Sequence, residues 1–232
     1  MIRQLPLPLA LNPEHDFEEY HPGGNAEAVD HLRRAARGQG EPFIYLWGRT
    51  GLGKTHLLHA CCRGAHRAGL AVSFVPLRAL QEYGGAVLDG LEEQALVCLD
   101  DLDAVAGDEH WESALFDLFN HLRDAGRGFI VSAQVPPGEL SLVLPDIKTR
   151  LAWGLTLMLR EFSDADKIAA LTLRARLRGL QLPPPVGRFL LSNCRRDLPG
   201  LMDLLDQLDR ATLAAKRKLT IPFLKSFLAE NP

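Results

Sequence analysis

An α/β fold, with a parallel sheet covered by helices on both faces and a small all-helical domain after it, is predicted by three observations. The stretch Gly48-Arg49-Thr50-Gly51-Leu52-Gly53-Lys54-Thr55 lies between the apolar run 43–47 and the helical-looking segment 56–67. Short apolar runs recur at 71–75, 95–99, 129–132 and 155–159 with helical segments between them, the pattern of parallel strands buried on both faces. From Ser163 onward the character is helical throughout. Spacing alone leaves the strand order open.

The elements follow from local signals. In 111–125, Leu115, Leu118, Phe119 and Leu122 share one helical face, and Gly126 stands where a C-terminal cap belongs. Ser163 with Asp166 three residues on reads as a capping box, with Asp for the usual Glu, opening a helix to about residue 178. Pro183, Pro184 and Pro185 start a second helix over 186–193. A third spans 198–216 with the stripe Leu201, Leu204, Leu205, Leu208 and Ala211, and a short last one runs over 221–229 with Pro222 at a tolerated early position. The division expected is a terminal peptide over 1–11, a nucleotide-binding α/β domain over 12–160 and a helical lid over 161–232.

Length and composition bound the rest. A chain of 232 residues with 47% hydrophobic content is large enough for one ordinary domain and a small companion. Cys61, Cys62, Cys98 and Cys194 lack paired metal spacing and read as reduced core residues of a cytoplasmic protein. A metal site at His56, His59, Cys61 and Cys62 is disfavoured, because these residues fall on the helix that must pack behind the glycine-rich loop. No apolar run approaches the roughly 18 to 20 residues of a membrane span. A formal charge of −3 argues against a dedicated nucleic-acid binder. The densest basic groups are Arg174, Arg176 and Arg178 with Lys216, Arg217 and Lys218, and the second of them closes a helix, where cations complement the dipole.

Two motifs carry chemistry. The sequence G-x-x-x-x-G-K-T curls backbone N–H groups around phosphate oxygens and aims a helix N-terminus at them. Lys54 would bridge the terminal phosphates and Thr55 would hold Mg²⁺. In Leu96-Val97-Cys98-Leu99-Asp100-Asp101, four apolar residues deliver two carboxylates to the mouth of the sheet. Asp100 would hold Mg²⁺ through water and Asp101 would orient an attacking water, since adjacent like charges need a cation to offset them. A solvated Asp-Asp turn is the bland alternative.

Together the motifs resemble the AAA+ family of P-loop NTPases, in its branch related to the replication initiator DnaA. The resemblance rests on Asn12-Pro13 leading to Phe17 and Gly23-Gly24-Asn25, on the loop continuing Lys54-Thr55-His56-Leu57-Leu58-His59-Ala60, and on Lys148-Thr149-Arg150-Leu151-Ala152-Trp153-Gly154-Leu155. It covers the chain from Asn12 onward. Two departures are noted: the initiator's C-terminal DNA-reading domain is not expected here, and Gln4-Leu5-Pro6-Leu7-Pro8-Leu9 looks like the peptide by which proteins dock on the bacterial sliding clamp.

The resemblance implies a regulator that prevents re-initiation. Gln4, Leu5, Leu7, Pro8 and Leu9 would bind the β subunit sliding clamp of DNA polymerase III, and the partner would be the initiator DnaA. Nucleic acid would be met only through the clamp, membrane not at all, and a homo-oligomer stays open. Arg150 takes the position of an arginine finger acting on a neighbour's γ-phosphate, with a structural ion pair as the plain alternative. Arg196 aligns with the lid arginine that reads phosphates, Arg195 being next in register. Gln134 stands where the initiator has an acid, and Gln cannot take a proton from water, which disfavours hydrolysis in the chain's own site. The loop residues 48–55 with His56, Gln134 and Arg196 would then hold ADP, or ATP, with Mg²⁺ at Thr55 and Asp100. The competing expectation is a self-sufficient ATPase of the helicase-loader kind.

Overall fold

The computed structural model describes residues 15–230. The expected clamp-binding peptide, Gln4 to Leu9, and Asn12-Pro13 lie outside the described residues. The chain divides into two compact units. One comprises the described residues up to 17 together with Asn25–Arg160; the other comprises Glu18–Gly24 and the residues from Glu161 onward. Residues 18–24 thus group with the helical unit rather than with the α/β unit. Local packing explains this: Gly23, at φ +49°, leaves room for the Asp166 carboxylate that a Cβ would meet at 2.8 Å, and the His21 ring lies 3.4 Å from the same carboxylate.

The first unit is built on five parallel strands, β1 (Phe43–Trp47), β2 (Val72–Pro76), β3 (Leu96–Asp100), β4 (Gly128–Ala133) and β5 (Leu155–Met158). Their order is β2-β3-β4-β1-β5. All five residues of β3 are buried, as a strand covered on both faces requires. Register aligns Trp47 with Ala133 and Leu99 with Val131, so the carboxyl ends of β1, β4 and β3 open side by side. Loops at such ends are where an open α/β sheet takes its ligand.

The helices of this unit are α1 (Ala26–Ala35), α2 (Lys54–Arg67), α3 (Leu77–Leu80), α4 (Glu109–Asp124) and α5 (Pro145–Leu151). Helix α4 buries Trp111, Leu115, Leu118, Phe119 and Leu122, the stripe expected from the sequence. It starts at Asp108, whose carboxylate accepts from the N–H groups of His110 at 2.9 Å and Trp111 at 3.2 Å, and it is followed by Gly126 at φ +64°. Helix α2 buries Leu57, Leu58, Cys61, Cys62 and Ala65. Its cysteines are therefore core residues, and His59 stacks on Phe74 at 4.0 Å. Among the described residues no group of three or more His, Cys, Asp or Glu could hold a metal ion, and no helix is long and apolar enough to cross a membrane. Sequence reasoning named no helix for α1 or α5.

The second unit contains α6 (Asp164–Leu177), α7 (Pro184–Asn193), α8 (Leu198–Ala215) and α9 (Ile221–Glu230), packed around Leu171, Leu190, Leu201, Leu205, Leu208 and Leu224. Arg174 and Arg178 donate to the Asp206 carboxylate at 3.3 and 3.0 Å. These cations therefore tie α6 to α8 instead of forming an open basic face. At the start of α6, Ser163 and Asp166 form a reciprocal capping box. The Ser163 hydroxyl and N–H, with His21 behind them, hold the Asp166 carboxyl below the ordinary aspartate value.

A depressed carboxyl pKa contributes stability above its unfolded value of 3.8 and loses it as pH falls through the lower folded value. Ser163→Ala is expected to cost about 1 kcal/mol of stability at neutral pH, the usual loss of a helix N-cap. Urea titrations at stepped pH check this, with the deficit shrinking as pH falls below the ordinary aspartate value toward the lower folded one.

Candidate nucleotide-binding site

The glycine-rich loop leaves β1 and turns directly into α2. At Gly48, φ is +156°, and a Cβ would meet the Leu159 carbonyl oxygen at 3.0 Å. Gly53, at φ +88°, is the residue from which α2 begins. Both positions require glycine for the loop to curl tightly enough to present its backbone. Lys54 follows as the first residue of α2 and is only 6% exposed. Its ammonium donates to the carbonyl oxygens of Gly48 at 2.6 Å and Arg49 at 3.1 Å. Burial pulls the Lys54 pKa below the ordinary lysine value, and the nearby carboxylates of Asp101, Asp100 and Asp103 pull it partly back.

Asp100 ends β3 and is 4% exposed. The Thr55 hydroxyl donates to one of its oxygens at 2.7 Å and the Ser132 hydroxyl to the other at 2.5 Å. A hydroxyl and a carboxylate at hydrogen-bond separation are hard oxygen donors of the kind Mg²⁺ accepts, and that ion is usually completed by phosphate and water rather than by a full protein cage. Thr55 and Asp100 therefore fit a magnesium ion accompanying a nucleotide. The ion would neutralise phosphate charge there.

Asp101 lies just beyond the strand with φ at +59°, a conformation uncommon for a residue other than glycine. Its N–H donates to Ser132 Oγ at 3.0 Å. Its carboxylate accepts from Arg78 Nε at 2.9 Å, and this bond and charge raise the Arg78 pKa. The acid expected to orient water is thus engaged by a cation on α3. The Gln134 N–H donates to both oxygens of Asp103 at 3.0 and 2.8 Å, and Thr50 Oγ1 donates to Gln134 Oε1 at 3.4 Å. Thr50, Lys54, Thr55, Asp100, Asp101 and Gln134 are accordingly brought together.

His56 is linked instead to the Asp16 carbonyl at 2.8 Å. Arg196 lies in the helical unit, its Nε 3.4 Å from the Leu191 carbonyl, while Arg195 pairs with Asp197 at 3.0 Å. Sequence reasoning missed Ser132, Arg78 and Asp103. Only Ser132 had a legible signal, a lone hydroxyl within an otherwise apolar strand.

Arg150 stands elsewhere. It is carried on α5, its Nε donating to Asn120 Oδ1 at 3.0 Å and its guanidinium lying 4.1 Å from the Phe116 ring centre. It lines a small cavity with Phe43, Phe119, Phe129 and Gly154. Phe43 and Phe129 are at the amino ends of β1 and β4, whereas the glycine-rich loop follows Trp47 at the carboxyl end. Four residue steps of strand separate the two ends, roughly 13 Å.

A parallel five-stranded sheet with a phosphate-type loop after its β1 strand, two acids at the end of β3 and a following all-helical lid defines an AAA+ P-loop protein. Residues 164–228 match the family model described as "Hda, lid domain", and residues 85–158 match that of the bacterial DnaA ATPase domain. The chain is thus similar to Hda in its lid region and to DnaA in part of its ATPase domain. Domain III of the Thermotoga maritima replication initiation protein DnaA is similar in fold, with TM-score 0.81, 22% identity, and coverage of 93% of this chain and 95% of that one. AMPPCP-bound DnaA from Aquifex aeolicus matches with TM-score 0.72 and 24% identity over 85% of this chain, which spans 66% of that DnaA chain. DnaI matches with TM-score 0.50 and 18% identity over 60% of this chain and 83% of that one. The two matches place a DnaA-type ATPase segment and a Hda-type lid in one chain.

Ser132→Ala removes one donor to a buried carboxylate and the acceptor of the Asp101 N–H. A stability loss of about 1 to 3 kcal/mol is expected. Denaturant unfolding measures it, and calorimetry with Mg-nucleotide should show weakened binding in the same variant.

Proposed function

We propose that this protein inactivates the replication initiator DnaA by supplying Arg150 to the ATP held in the initiator's site. The observation that supports this most directly is the position of Arg150 at the amino end of the sheet, away from the chain's own glycine-rich loop. A guanidinium there is poorly placed for its own phosphates and well placed to meet a neighbour. In a partner's site it would stabilise charge that grows on the transferring phosphoryl group, an effect on the order of 10³ to 10⁵ in rate.

The chain's own site would hold ADP with Mg²⁺ and act chiefly as a structural ligand that stabilises the competent conformation. Gln134 in place of an acid and the pairing of Asp101 with Arg78 both favour retention over turnover. Gly48 to Thr55 would cradle the phosphates, and Arg196 would read them from the lid. The segment Gln4 to Leu9 would dock on the sliding clamp, so that inactivation is confined to DNA already replicated.

A second reading, an ATPase of the loader kind, is favoured by the intact set of Lys54, Thr55, Asp100 and Asp101. Hydrolysis of its own ATP by the isolated protein in a single turnover decides for that reading.

ATP turnover by purified initiator, measured with clamp and DNA, is expected to rise when this protein is added. With Arg150→Ala the rise should fall by about 10³-fold or more, while ADP affinity of the variant stays near wild type; undiminished stimulation sinks the assignment. For the terminal peptide, calorimetry of clamp against a Gln4→Ala, Leu7→Ala double variant should show binding lost, and retained affinity would move the dock elsewhere.

A further inference from the structure

We infer that Glu112 is a positioning residue for Arg150, acting through the segment that leads into α5. The inference rests on reading Arg150 as the group donated to a partner's site.

Glu112 is a carboxylate with no exposure at all. A charge so placed is costly unless its oxygens are well supplied with donors. Its Oε1 accepts the N–H of Gly107 at 2.8 Å and that of Val143 at 3.0 Å, and Oε2 accepts the N–H of Leu144 at 2.7 Å. Charge-assisted bonds of this kind are about twice as strong as neutral ones. Leu144 is the residue from which α5 starts, it has no side-chain cap of its own, and Pro145 follows it. Glu112 thus fixes the entry to α5 from a neighbouring helix.

The remaining contacts run along the same side of α4. Residues four apart on a helix share a face, and Glu112, Phe116 and Asn120 are spaced by four. Glu112 holds the start of α5, Phe116 underlies the Arg150 guanidinium, and Asn120 accepts from Arg150 Nε. One helix face therefore sets both the origin of α5 and the direction of the arginine near its end. None of the three Glu112 bonds is made to the glycine-rich loop or to Asp100.

Glu112→Gln keeps the side chain's shape but turns one acceptor oxygen into an NH₂ group facing backbone donors. The start of α5 must move to relieve that contact. A displacement near 1 Å at a reacting group costs on the order of 10²-fold.

The test uses the full-length variant in the initiator ATPase assay with clamp and DNA. The maximal stimulated rate is expected to fall by about 10²-fold, with the concentration for half-maximal stimulation and the variant's own ADP affinity within about twofold of wild type. A merely structural loss would instead raise the half-maximal concentration or weaken ADP binding. Amide hydrogen exchange should show faster exchange at Val143 and Leu144 in the folded variant. If Glu112→Gln does not fold, Glu112→Asp, which keeps the charge one methylene short, is read by the same division between maximal rate and half-maximal concentration. A folded variant of either kind with a wild-type maximal rate overturns the role of Glu112. Arg150→Ala run in parallel separates the two ideas: if its stimulation is undiminished, the donated-arginine reading itself falls. If it loses stimulation while folded Glu112→Gln retains it, only the positioning role falls.

Discussion

A carboxylate buried at the end of a strand must be held by donors from outside that strand. Asp100 recruits one from α2, the Thr55 hydroxyl, and one from β4, the Ser132 hydroxyl. This requirement ties three elements at one point and depends on β4 lying beside β3. The same Ser132 oxygen accepts the Asp101 N–H, which fixes the left-handed turn there. Just beyond the turn, Asp103 reaches across to the Gln134 N–H. The mouth of the site is therefore cross-linked by two sets of hydrogen bonds, and a change at Ser132 removes two bonds of the first set.

Charge balance around Lys54 follows from this arrangement. Three carboxylates, Asp100, Asp101 and Asp103, favour its charged form against the cost of burial, and Arg78 answers Asp101 from the exposed side. The lysine's bonds to its own loop carbonyls show how the loop can close on a cation with the phosphates left to complete the shell. Phosphate oxygens are better acceptors than carbonyls for an ammonium, so nucleotide binding and relief of the buried lysine reinforce each other.

Much of this was legible in the chain because the signals are local. The glycine-rich loop, the apolar run ending in Asp100 and Asp101, the stripe Leu115, Leu118, Phe119 and Leu122, and the Ser163–Asp166 cap each depend on residues close in sequence, and the elements they mark lie within a residue or two of expectation. What escaped depends on residues far apart. Ser132 meets Asp100 across thirty-two positions and Glu112 meets Leu144 across the same span, so neither pairing has a spacing to read. Helix α5 is only seven residues long and gains its first N–H partner from α4, which no pattern within 145–151 reveals. The grouping of residues 18–24 with the helical unit likewise rests on contacts made more than a hundred positions away.

The separation of Arg150 from the glycine-rich loop gives the protomer a direction. One end of its sheet carries the glycine-rich loop and the other carries Arg150, so a contact that used both would join unlike faces. Such heterologous contacts run head to tail, closing into rings only if the rotation allows and otherwise extending without limit. A molecule that engaged through its Arg150 end alone would terminate such a series at one side, and its copy number relative to a partner would then set how long the series grows.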